Sequence, residues 1–190
     1  MKTFALAAAL SVAATAGLAA PEKYVLDPSH SQIVFSYEHL GFSTTYGMFS
    51  GFDGEIIFDQ EEPEASSVTV SFPVTSMLTG WEQRFDHFMS GDFFGADAND
   101  TVTFTSTDIE LTGDTTAEIT GDLTMNGVTQ PVVLDAVLNQ AGVHPQANAP
   151  WAGFSATATV LRSDYDMGMF VPYVSDEVQV NISIEAQKAE

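Results

Sequence analysis

The chain has 190 residues, with 26 acidic side chains against 5 basic ones, a formal charge of −21 and no cysteine. So acidic a surface repels nucleic acid and anionic membrane faces, and without cysteine neither a disulfide nor a thiol-linked lipid anchor can form. The acids are scattered and lack the spacing of an EF-hand loop, so a solvated surface suited to a salty medium accounts for them better than a cation site.

The chain is expected to open on a leader. Lys2 precedes an apolar run from Phe4 to Leu18 and then small residues, the layout of a secretory signal peptide and too short for a spanning helix. Gly17 and Ala19 suit cleavage after Ala19, with Ala20 the close alternative. Residues 1–19 are therefore expected to be removed, leaving 20–190 as a single periplasmic domain. Loss of Lys2 takes the charge from −21 to −22, and the remaining ~170 residues suffice for one self-supporting core.

Beyond the leader, apolar side chains alternate with a period of two, the mark of half-buried strands. Ile33, Phe35, Tyr37 and His39 share one face; Phe52, Gly54, Ile56 and Phe58 the next; then Val68, Val70, Phe72 and Val74. After an interruption come Val102 and Phe104; Ile119, Leu123 and Met125; Val132, Leu134, Ala136 and Leu138; Phe154, Ala156, Ala158 and Val160; and Val178, Val180, Ile182 and Ile184. Asn126-Gly127 between two such runs predicts a tight hairpin, because both positions tolerate positive φ. No helical pattern alternates with the strands, so parallel βαβ units are not expected. The reading is all-β: an eight-stranded antiparallel sandwich or barrel.

The interruption, Thr79 to Phe94, carries helix signals. Thr79 and Glu82 have capping-box spacing, Trp81, Phe85, Phe88 and Met89 fall on one helical face, and Gly91 is a plausible stop. One short helix with four large apolar side chains among antiparallel strands predicts a lid over the open end of a barrel. At eight strands a barrel is just wide enough to be packed by side chains or to hold one slender ligand. Small inward candidates (Gly54, Gly121, Ala136, Ala156, Ala158) and adaptable methionines (Met125, Met167, Met169) favour a lumen, while a fully packed core remains open on these residues alone.

No nucleophile elbow, cysteine nucleophile, zinc-protease motif or phosphate loop is present, so no enzyme and no cofactor are expected. The rival enzyme reading would need His39 or His87 as acid/base with Arg84 as electrophile beside the ligand. His30 and His39 lie an odd nine residues apart, which sets them on opposite faces of a continuous strand and argues against a shared metal; no metal site is expected. His30 is expected to tie a strand start to a neighbouring backbone, His39 to sit at the rim and His144 in a solvated loop. Arg84 with Asp86, and Arg162 with Asp164, are expected as anchoring ion pairs; the alternative is a guanidinium at the mouth that meets an anionic or carbonyl head group.

In order along the chain, Tyr24-Val-Leu-Asp27-Pro-Ser-His30-Ser31, Phe35, His39-Leu40-Gly41, Gly47-Met-Phe49 and Phe52-Asp-Gly54 resemble the opening of the YceI-like family of exported bacterial proteins. Thr79-Gly80, Arg84, Asp86-His87, Asp92-Phe93-Phe94 and Phe104-Thr-Ser106 resemble its middle. Gly121-Asp-Leu123-Thr124, Gly127-Val128, Pro131-Val132, Arg162-Ser-Asp164-Tyr165 and Ser175-Asp176-Glu177-Val178 resemble its close. Phe85 between Arg84 and Asp86, Asn99-Asp100 and Tyr165-Asp166 depart from the family pattern. The resemblance implies a lipocalin-like eight-stranded barrel with one short helical lid that carries a polyisoprenoid, an isoprenoid quinone or polyprenyl chain, in its lumen. Phe35, Tyr37, Phe72, Phe104, Met125 and Phe154 are then candidates for the lining, and Trp81, Phe85, Phe88 and Met89 for the cover. The rival from another class is a filled-barrel envelope stress or assembly protein without a lipid. A homodimer through an edge strand is a further expectation, and a transmembrane protein is not expected.

Overall fold

The alternating runs fold as strands, except that Phe52 lies just before its strand and Val74 falls in a 3₁₀ turn. The computed structural model describes residues 20–97 and 100–190; the expected signal peptide lies outside the described residues, as does Asn99. In chain order the elements are β1 (Glu22–Leu26), β2 (Gln32–His39), β3 (Ser43–Phe49), β4 (Asp53–Phe58), β5 (Ser67–Pro73), α1 (Glu82–Met89), β6 (Thr101–Leu111), β7 (Thr116–Met125), β8 (Val128–Val143), β9 (Pro150–Leu161) and β10 (Glu177–Lys188). Single 3₁₀ turns occupy Pro63–Ala65, Val74–Ser76 and Arg162–Tyr165.

Ten strand segments make eight strands, because the first four act as two bent ones. β1 pairs with the end of β10 (Leu26 opposite Ala186) and β2 with its start (Val180 opposite Phe35), so both flank β10 as one strand broken at 27–31. Likewise β3 pairs with β2 and β4 with β1, interrupted at 50–52. Each later strand is antiparallel to its predecessor, and the β10 pairings close the ring. The result is a closed, eight-stranded up-and-down antiparallel barrel with one helix: of the two forms that the alternation allowed, it is the one the family resemblance implied. Closure matters because it leaves the inner face as a tube.

Two irregularities re-aim side chains. Register shifts between Ser106 and Asp108 in β6 and between Leu138 and Gln140 in β8. An extra residue moves alternation by one, so Ile109 and Leu111 follow Phe104 onto the inner wall. The expected hairpin forms, with Met125 opposite Val128 and positive φ at Asn126 and Gly127.

α1 lies at the end of the barrel where β2, β5, β7 and β9 finish. It departs from expectation at both ends. Its N-cap is Trp81, with no side-chain cap; the Thr79 hydroxyl donates instead to the Trp81 carbonyl at 2.8 Å, so the Thr79–Glu82 capping box does not form. The helix closes on Ser90, whose hydroxyl donates to the His87 carbonyl at 2.7 Å, rather than on Gly91. Phe85, Phe88 and Met89 pack on the barrel's aromatic core.

Candidate functional site

An apolar cavity of about 760 Å³ runs through the barrel, within the range of sites that hold small or slender ligands. Its wall is built by the inward residues of every strand pair in the ring. Phe35, Tyr37, Phe72, Phe104, Met125 and Phe154 all line it, together with Ile33, Val70, Leu134 and Ile182. Aromatic rings crowd the wall formed by β2 to β5, where Phe49 lies 5.0 Å from Phe72 and 5.3 Å from Phe35 between centroids. The wall formed by β8 and β9 is thin: Ala136 faces Ala156 directly across the ladder, and Ala158 follows. Large rings on one side and methyl groups on the other leave the tube open.

Polar wall residues gather at the two ends. Gln60, Ser66, Ser67, Asp114 and Thr115 lie at the end opposite the helix. At the helix end the wall carries His39, Ser43, Thr45, Gln83, Arg84, His87 and Arg162. The cover is narrower than expected. Trp81 and Phe88 line the cavity, whereas Phe85 and Met89 do not; they wedge α1 against the core. Phe88 is held edge-on by Tyr37 (6.1 Å) and Phe35 (6.4 Å). Phe93, Phe94 and Phe170, which the periodicity of α1 did not point to, complete the wall beside it.

Neither expected arginine–aspartate pair is among the ion pairs of the described residues. Arg84 Nη1 donates to the Thr79 carbonyl at 3.1 Å, and the guanidinium lies 5.8 Å from the Trp81 ring centre. Asp86 follows on the exposed side of the helix. Arg162 is only 7 % exposed. Its Nε donates to the Ser175 carbonyl (2.8 Å), Nη2 to Val174 (3.0 Å), and Nη1 to Met169 (2.8 Å) and Met167. It thus threads the 167–175 loop onto the barrel. Asp164 is exposed in the turn, and the carboxylate that serves this corner is Asp176, which accepts from the Ser163 amide (2.9 Å) and hydroxyl (2.6 Å). Burial lowers the Arg162 pKa, with Asp176 opposing that shift; the group remains a cation at neutral pH.

The distribution of positive charge is uneven. Of the four basic residues after Lys2, Lys23 pairs with Glu55 and Lys188 with Glu22 on the outside, while both arginines stand on the cavity wall at the helix end. An otherwise acidic molecule therefore places both arginines, neither of them in an ion pair among the described residues, at one mouth of an apolar tube.

The histidines separate. His39 and His87 reach that mouth, His87 Nε2 lying 3.3 Å from Asp92. His30 sits outside at the other end of β2, bonded through Nδ1 to Asp27 at 2.6 Å rather than to a backbone group. Hydrogen bonds from the imidazole raise its pKa in turn: the Asp27 carboxylate holds His30 above its ordinary value. His30, Asp27 and Glu185 come within 4.8 Å of one another, so the imidazole's neighbours are two carboxylates and not His39. His144 accepts from the Gln146 and Ala147 amides, and its ring lies 4.8 Å from that of Trp151, tilted by 45°.

The YceI-like domain model matches residues 24–186. A UPF0312 protein of Pseudomonas paraeruginosa is 40% identical over 97% of this chain and 96% of its own length. The crystal structure of the Campylobacter jejuni YceI protein superposes with a TM-score of 0.72 at 29% identity, covering 80% of this chain and 90% of that one. A polyisoprenoid binding domain from Saccharophagus degradans, implicated in plant cell wall breakdown, shares the fold at 13% identity with a TM-score of 0.66, covering 87% of this chain and 98% of that one.

Proposed function

The chain belongs to the YceI-like family, and we propose that it binds a polyisoprenoid lipid in its lumen and carries or sequesters it in the periplasm. The observation that carries this reading is the cavity: about 760 Å³ of apolar tube through a closed barrel. A filled barrel would have no such space. Apolar transfer is worth ~0.8 kcal/mol per buried CH₂, so a few isoprene units supply several kcal/mol before the entropic costs of binding. A branched, flexible tail needs no polar partner, only a dry wall with rings on one side and methyl groups on the other. That the Saccharophagus degradans domain binds polyisoprenoid on the same fold supports the choice of ligand class.

In this reading the tail lies along Phe35, Tyr37, Phe72, Phe104, Met125 and Phe154, and Trp81 and Phe88 cover it. The head group, a quinone carbonyl or an anionic group, stays at the helix end, where Arg84, His39 and His87 line the wall. Binding rather than catalysis is the reading that the engagement of Arg84 by a backbone carbonyl supports. The test is to fill the tube. Ala156→Phe places a ring against the opposite aromatics and should abolish uptake of prenyl lipid by the purified protein while its circular dichroism stays that of a barrel. Undiminished uptake would remove the lumen as the binding site.

A further inference from the structure

All five exposed aromatic residues among those described (Phe42, Tyr46, Trp81, Phe170 and Tyr173) lie at one end of the barrel. Phe42 is 90 % exposed at the tip of the β2–β3 turn, lifted by the positive φ of Leu40 and Gly41. Backbone bonds join the segments that carry them. The Leu40 amide donates to the Tyr173 carbonyl at 2.9 Å, and Met48 exchanges bonds of 3.0 and 2.8 Å with Leu78, three residues before Trp81. Leu40 and Leu78 are themselves about half exposed. Monomeric proteins rarely expose large apolar groups gathered in this way, and such patches mark interaction sites.

Charge singles out the same segments. In a chain with 26 acidic residues, 39–52, 65–81 and 167–175 contain none. Acids return on their flanks, at Glu38, Asp53, Glu64, Glu82, Asp166 and Asp176. The rim is also continuous with the tube, since Trp81 and Phe170 are both exposed and part of the cavity wall. Whatever covers the rim covers the entrance.

We propose that this rim seats the barrel on a phospholipid bilayer, with Phe42, Trp81 and Tyr173 entering the interface so that a lipid passes into the tube without crossing water. The inference rests on the lipid-binding reading of the same cavity. Tyrosine and tryptophan suit the head-group layer, where one end of the ring is apolar and the other wet, and a protruding turn with an apolar tip inserts where a flat protein interface would not accept it. A second copy docked on this face would seal both entrances, whereas a bilayer supplies what the tube accepts. The net charge of −21 sets the preference: zwitterionic over anionic membranes, because screening alone must overcome repulsion from the latter.

The experiment is flotation of the chain from Ala20 onward, which holds every strand of the barrel, with phosphatidylcholine vesicles. Trp81 fluorescence in a Trp151→Phe background reports insertion, and uptake of geranylgeraniol dispersed without vesicles is measured in parallel. The expected result is flotation with a blue shift of Trp81, both reduced at least about tenfold in Phe42→Ser/Tyr173→Ser, with uptake intact in that variant because neither residue lines the tube. Absence of flotation, equal flotation of the variant, or a dimer in sedimentation that the variant dissolves would each overturn the proposal. Flotation without any uptake would leave membrane docking standing and sink the lipid-binding reading instead.

Discussion

The ring of Phe35 lies over Gly47, its partner across the β2–β3 ladder: a methyl group on Gly47 would stand 2.2 Å from Phe35 Cζ. The same device recurs between neighbouring strands, where a methyl on Gly121 would stand 2.4 Å from Phe104 Cζ. In both places glycine lets an inward ring lie against the wall instead of across the tube. Bore and fold stability are thus set by the same contacts.

Gly47→Ala should therefore push Phe35 into the lumen. The expected cost is ~1–3 kcal/mol, as for other overpacked cores, read by urea denaturation, together with weaker uptake of prenyl lipid. Phe35→Ala should relieve most of that cost in the double variant. Additive effects of the two changes would mean the ring does not rest on Gly47.

Arg162 and Asp164 should behave as unrelated residues. Removing the guanidinium strands several carbonyls of the 167–175 loop, and Arg162→Met should cost ~3–5 kcal/mol, the range for breaking a buried charged network. Lys, with a single ammonium, cannot reach all of those acceptors, so Arg162→Lys should rescue little. Asp164→Asn should leave the denaturation midpoint unchanged, whereas Asp176→Ala, which removes both acceptors of Ser163, should lower it. A coupled Arg162–Asp164 double-mutant cycle would contradict this assignment.

Tyr165 predicts an alkaline transition. Its hydroxyl is buried without a hydrogen-bond partner, and burial, aided by the Asp164 charge, pushes its pKa up to about 12 from 10.0. The folded state holds that proton more tightly than the unfolded chain, so stability is fully present below pH 10 and falls as the pH rises to about 12. Tyr165→Phe should abolish that portion of the loss and be neutral or slightly stabilising at pH 7, since it removes an unsatisfied group. A clear loss of stability in the variant at pH 7 would show that the hydroxyl has a partner.

The Asp27–His30 pair predicts a milder effect at acid pH. Burial pushes the Asp27 carboxyl up, but bonds from the Ser29 hydroxyl, His30 and the Ser29 amide overcome it and hold its pKa below the usual value. The His30 pKa is raised by the same contact. Asp27 contributes above its unfolded pKa of about 4, and loses that contribution as pH falls through its lowered folded value. His30 contributes fully below about 6.5, and loses that contribution as pH rises through its raised one. The pair thus helps most between about pH 4 and 6.5. Subtracting the Tm profile of His30→Ala from that of the parent should leave a maximum in this window; a flat difference would rule the pair out as a contributor.

Salt offers a check on the charge itself. At −21 the folded chain repels itself, so Tm should rise between low salt and about 0.5 M sodium chloride as the Debye length shortens. A falling Tm would mean that the external ion pairs outweigh the repulsion.

How far the sequence could be read depended on whether a feature leaves a periodic trace. The strand faces did: Ile33, Phe35 and Tyr37, or Ala156, Ala158 and Val160, reach the same wall because pleating forces alternate residues to one side. The Asn126-Gly127 turn was legible for the same local reason. Bulges at Ser106–Asp108 and Leu138–Gln140 break the period and hid Ile109 and Leu111. The partners of Arg162 were invisible because they are backbone carbonyls, which every residue has, so the nearby Asp164 drew attention instead. Thr79 and Glu82 had capping spacing, yet Trp81 begins the helix, since the chain must first leave its bridge at Leu78 with Met48. Phe93, Phe94 and Phe170 reach the site only through tertiary packing.

The most direct test of the lumen as a lipid site is native mass spectrometry of the protein purified from its native cells, followed by organic extraction of the bound material. A stoichiometric apolar adduct, with species spaced by isoprene units, is the predicted result, and extraction would identify its head group. An apo mass, combined with failure of that protein to take up any added prenyl lipid, would contradict the account and return the barrel to a role without a lipid.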